Sequence, residues 1–147
     1  MKLTVHLQNP YRYKNIPTKN RFKQWALLTL KNYQNTEVTI RIVNEKESAL
    51  LNKQFRNKAK STNVLAFPVE TRNKTDHYLG DLVICAPIVY REAKEQHKKI
   101  VAHFAHLTIH GLLHLLGYDH IKTNEANRME KLESALLQQL GFADPYY

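Results

Sequence analysis

The chain has 147 residues, 43% hydrophobic, 10% aromatic and 24% charged, with 4 Gly and 5 Pro, which predicts one compact domain and excludes a collagen-like, low-complexity or disordered chain. No apolar run approaches 18 residues, so no transmembrane span is expected, and MKLTVHLQNP has no apolar stretch of a secretory signal. A single cysteine, Cys85, makes an intramolecular disulfide impossible and predicts a cytoplasmic protein with no membrane partner.

The formal net charge is +9, and it is unevenly spread. Residues 1 to 74 hold 15 basic and 4 acidic side chains, whereas residues 75 to 147 hold 7 and 9. A basic half suits a phosphate-rich partner such as a nucleic acid, because neutralising phosphates releases counterions; a solvated basic surface is the plainer alternative.

In chain order, KLTVHLQ alternates Leu3, Val5 and Leu7 against polar neighbours, the period of a half-buried strand. A helix is predicted from about Lys19 to Tyr33, with Phe22, Trp25, Ala26, Leu30 and Tyr33 on one side. Val38, Ile40 and Ile42 alternate in a second strand, and a short helix follows from Glu45 to Phe55. VLAFPVE and LGDLVICA read as two further strands around the polar loop TRNKTDHY. The rest is helical: 87 to 97, a strongly apolar 99 to 116, and a third from an N-cap at Thr123 to about Leu140, stopped by Gly141. This pattern predicts one α+β (α/β-type) domain over residues 1 to 147, with helices packed on a sheet of about four strands whose order is not readable.

The central helix carries the chemistry. His103, His106, His110 and His114 recur at intervals of 3, 4 and 4, which forms one stripe along a helix. In HGLLHLLGYDH the spacing is HxxxHxxGxxH. Two imidazoles four apart can face one ion, and Gly117 can take a left-handed conformation that ends the helix and returns His120 as a third ligand. Three imidazoles with an open fourth position suit one catalytic zinc ion, held by His110, His114 and His120. His103 reads as a packed core histidine, and His106 as either a partner behind the ligands, a phosphate contact or a structural residue. Asp119 either orients a ligand imidazole or is a turn aspartate.

Zinc peptidases of similar spacing have Glu where this chain has Gly111, and that Glu activates the attacking water. Its absence disfavours amide hydrolysis and leaves esters or phosphodiesters as the better substrates. Arg56, among Lys53, Lys58 and Lys60, can give a phosphate two fixed hydrogen bonds while staying charged. Cys85 reads as buried rather than ligating, the aromatic residues of positions 11 to 33 as core rather than base-stacking, Asp81 as a cap or ion-pair partner near the sheet, and Tyr146-Tyr147 as a loose tail.

HGLLHLLGYDH, preceded by LNKQFRNKAKSTNVLAFP and LGDLVICAP and followed by a helix ending in LGFADPY, resembles the YbeY family of metal-dependent endoribonucleases from about residue 37 onward. The resemblance implies a single-strand-specific endoribonuclease acting in ribosomal RNA processing, including the 16S rRNA 3′ end, and in ribosome quality control. The small ribosomal subunit and its associated proteins would be its partners. It places the family's metal-binding histidines on His110, His114 and His120, and its functional arginine on Arg56; Arg56 and His114 are therefore the candidate catalytic residues. The segment after Arg56 departs from the family pattern: Asn57 replaces a usual glycine, Ala59 an aspartate, Ser61 a proline and Ala66 a serine. A non-catalytic, zinc-containing RNA-binding assembly factor is the alternative, and a zinc metallopeptidase a weaker one.

Overall fold

A computed structural model describes residues 2–33, 35–69, 77–118 and 122–146. The elements in order are β1 (Leu3–Gln8), α1 (Lys19–Thr29), β2 (Thr36–Val43), α2 (Glu45–Arg56), β3 (Val64–Pro68), β4 (Tyr78–Cys85), α3 (Ala86–Glu95), α4 (Ile100–Leu115) and α5 (Thr123–Gln139). The strands form one mixed sheet in the order β1-β2-β4-β3, with β1, β2 and β4 parallel and β3 antiparallel to β4 at an edge. Among the described residues, five helices on a four-stranded sheet match the α+β expectation.

Strand alternation divides the sheet into two unequal faces. Val5, Val38, Ile40, Ile42, Leu82 and Ile84 belong to the main core with residues of α1, α3, α4 and α5. Val43, Leu65, Val83 and Cys85 point the other way into a small cluster with Leu51 of α2 and Ile88. Thus α2 lies on one side of the sheet and α4 on the other. α4 buries ten of its residues and packs on α1, α3, α5, β3 and β4, which explains its almost uninterrupted apolar sequence. In that core Phe104 meets Phe22 edge to face, with centroids 6.3 Å apart at 87°.

Local signals set the helix ends. Asn44 accepts from the Glu47 amide at 2.8 Å to start α2, and Glu45, Glu47, Lys53 and Arg56 complement its dipole. α1 ends at Thr29, short of the expected Tyr33: Leu30 is buried as its cap, while Tyr33 is 40% exposed and outside the apolar stripe. α5 is capped by Lys122 rather than Thr123, because the Lys122 carbonyl takes the first helical bond, from Ala126 at 2.8 Å.

Candidate metal centre

The histidine stripe of α4 separates by partner. His103, 3% exposed, hydrogen-bonds Glu92 of α3 at 2.8 Å, so the packed core histidine has an acidic partner. His106 and His110 both turn to Glu133 of α5: His106 Nε2 lies 3.1 Å from Oε2, and His110 Nδ1 lies 2.5 Å from Oε1. His110 and His114 then face each other, their Nε2 atoms 3.1 Å apart.

That last distance has chemical content. Nitrogens sharing a tetrahedral zinc at about 2.0–2.1 Å stand about 3.3 Å apart. With Nδ1 of His110 donating to the Glu133 carboxylate, a neutral ring carries its lone pair on Nε2, the nitrogen that faces His114 Nε2. His106, His110 and Glu133 also bring ligand atoms within 4.8 Å of one another. The 2.5 Å between His110 Nδ1 and Glu133 Oε1 is hydrogen-bond length, closer than two ligands of one ion stand, so Glu133 acts as a partner of His110.

Glu133 is fully buried. Burial alone pushes its carboxyl up, but the hydrogen bonds from His106, His110 and the Tyr146 hydroxyl outweigh it and bring it down to about 2. This residue escaped the sequence reading. Its signal was an acid in the buried line of α5, four residues from both Met129 and Leu137.

Gly117 behaves as expected. With φ at +99° it ends α4; its amide donates to His114 O at 3.0 Å and that of Tyr118 to Leu113 O at 3.0 Å, the paired bonds of a left-handed helix stop. His120 and Asp119, which this turn leads toward, lie outside the described residues. Gly111 is a packing glycine: a Cβ there would stand 2.7 Å from Leu82 Cδ2 and 3.4 Å from Val64 Cγ2. The position occupied by a peptidase's glutamate therefore points into the sheet.

Arg56 ends α2 on the opposite face of the sheet, and among the described residues no hydrogen bond or ion pair engages its guanidinium. Phe55 beside it lays its ring against Phe67 of β3, with centroids 5.0 Å apart. From the other face, α4 packs on β3 and β4, and a Cβ at Gly80 of β4, the partner of Pro68, would meet Leu115 Cδ2 at 2.9 Å. Arg56 and His114 thus belong to helices on opposite faces of the sheet, and no hydrogen bond or ion pair among the described residues joins them. Lys53, Lys58 and Lys60 are exposed around Arg56. Asn57 adopts the left-handed conformation, φ 58° and ψ 32°, a region that asparagine tolerates.

Other expectations resolve simply. Cys85 is buried in the smaller cluster, and burial pushes its thiol up. Asp81 accepts a hydrogen bond from the Tyr78 hydroxyl in the sheet. Phe22, Trp25 and Leu30 are core, whereas Tyr11 is 42% exposed and donates to Glu47 at 2.6 Å. Tyr146 is not a loose tail: its hydroxyl donates to Glu133. Tyr147 is outside the described residues. Among the described residues no helix is long and apolar enough to cross a membrane.

The solution structure of TM1509 from Thermotoga maritima shares this fold, with a TM-score of 0.60 at 24% identity over 98% of both chains. The endoribonuclease YbeY of Nitrosococcus oceani is 47% identical over 150 residues, covering 99% of this chain and 98% of that protein. The family model for endoribonuclease YbeY matches residues 7–141. The chain belongs to the endoribonuclease YbeY family.

Proposed function

We propose that residues 1–147 form a single zinc-dependent endoribonuclease domain that acts in the cytoplasm on ribosomal RNA of the small subunit, including 16S 3′-end maturation. Family membership supports the endoribonuclease activity. The observation that carries the metal reading is the pair of Nε2 atoms on His110 and His114, 3.1 Å apart, with the other nitrogen of His110 held by buried Glu133. His120 is the third ligand in this reading. When bound, zinc supplies Lewis-acid polarisation and acidifies water.

The chain's own residues do the rest. Glu133 orients the His110 ring by accepting from its Nδ1. Arg56, whose guanidinium has no partner among the described residues, compensates the negative charge that builds on the non-bridging phosphate oxygens as a nucleophile adds to phosphorus and the leaving oxygen departs. Lys53, Lys58 and Lys60 draw the RNA backbone toward that edge of the sheet. No carboxylate at position 111 is available for the water activation that peptide hydrolysis needs.

The test pairs metal analysis with cleavage of structured ribosomal RNA. His114→Ala is expected to lose bound zinc and cleavage together, whereas Arg56→Glu retains zinc and loses cleavage by about 10²-fold or more. Wild-type-like cleavage by highly purified, metal-free His114→Ala protein would overturn the metal mechanism.

A further inference from the structure

After α5 the chain turns back toward α4. Gly141, at φ +86°, ends the helix with its amide on Gln138 O at 3.0 Å and that of Phe142 on Leu137 O at 2.9 Å. Phe142 then meets Trp25 edge-on, with centroids 6.4 Å apart. Asp144 fixes the next turn: one carboxylate oxygen accepts from Ser134 Oγ at 2.7 Å and from the Tyr146 amide at 2.9 Å. The Tyr146 ring stands perpendicular to His106, 5.5 Å between centroids, and its hydroxyl donates to Glu133 Oε2.

Glu133 therefore has its two oxygens assigned to different partners. Oε1 receives His110 Nδ1, and Oε2 receives His106 and Tyr146. A carboxylate is planar, so fixing Oε2 fixes the direction of Oε1. We propose that Tyr146 is a positioning residue for the metal centre: by holding Glu133 Oε2 it aims Oε1 at His110, and residues 141–146 form a C-terminal latch that raises zinc affinity. The sequence between α5 and Tyr146 is built for this, since Gly141, Phe142, Asp144 and Tyr146 each make one of its fixed contacts.

This rests on the proposed zinc site, and the experiment separates the two. Zinc affinity is measured by chelator competition, and the ligand field by the visible spectrum of the cobalt(II)-substituted protein. Tyr146→Phe removes one hydroxyl from a side chain that is 44% exposed, so the fold should be retained, with the apo melting temperature lowered by the loss of one hydrogen bond to buried Glu133. It is expected to weaken zinc about tenfold, at the lower end of the loss seen when partners of metal ligands are removed, and to alter the cobalt bands. Asp144→Ala, which releases the turn, should reproduce both changes. If wild type binds zinc and Glu133→Gln weakens it, while Tyr146→Phe and Asp144→Ala bind within twofold of wild type with unchanged spectra, the latch is wrong and the site stands. If wild type binds no zinc, or His114→Ala binds it as tightly, the site itself is wrong and the latch falls with it.

Discussion

Gly111 and Leu82 determine how closely α4 lies on the sheet: a Cβ at position 111 would stand 2.7 Å from Leu82 Cδ2. Both residues are buried, so the contact cannot be relieved by moving a side chain into solvent. Gly111→Ala should destabilise the protein by about 1–3 kcal/mol in urea unfolding, the usual range for overpacking. Adding Leu82→Val should recover part of that loss, because it removes a methylene from the side chain whose terminal methyl is in the way. Independent, additive losses in the double variant would show that the two residues do not share a contact. Gly111→Glu should fail to fold rather than acquire peptidase activity.

The loop that follows Arg56 is held by polar side chains, of which Ser48 and Asn52 are buried and Asn63 half-buried. Asn52 donates to Lys60 O at 2.8 Å, Ser48 Oγ donates to Thr62 O at 2.9 Å and accepts from its amide at 3.0 Å, and Asn63 donates to Glu92 at 3.1 Å. Asn52→Leu would leave the Lys60 carbonyl without its partner, at a cost of about 1–3 kcal/mol. Under the proposed function the same variant should lower kcat more than it raises KM, with zinc content unchanged. Zinc loss in this variant would show that the loop supports the ion rather than the arginine.

Asn57 provides a separate test of that loop. At φ 58° it closes α2 in a region that β-branched residues avoid. Asn57→Gly should change stability by only about 0.5 kcal/mol, while Asn57→Val should cost about 1–2 kcal/mol. Equal stabilities for the two variants, measured by chemical denaturation, would rule out a conformational reason for asparagine here.

What could be read from sequence was local. The spacing of His110 and His114 and the stop at Gly117 depend on helical periodicity and one left-handed residue, so both were visible. Glu133 was not, because its contact with His110 joins two helices across 23 residues and depends on how they pack. The strand alternations were legible for the same local reason, but the order β1-β2-β4-β3 depends on a crossover through α2 that no periodicity encodes. Tyr146 looked like tail because Gly141 signals an end; the return of the chain is set by Asp144 and Phe142, whose partners lie on α5 and α1.

His103 gives the fold a pH dependence separate from the metal centre. Burial pushes its imidazole below the ordinary histidine range, with the hydrogen bond to Glu92 pulling the other way. The lowered value means that the unfolded chain takes up the proton first. Its contribution to stability is therefore present above about pH 6.5 and is lost as the pH falls through the folded-state value, at up to about 1.4 kcal/mol per pH unit. His103→Gln keeps a donor toward Glu92 and removes the titrating ring. In urea unfolding of the metal-free protein at pH 7.5 and 5.5, wild type should lose more stability than this variant. Equal losses would mean that the folded protein accommodates a charged His103, and that Glu92 compensates its burial fully.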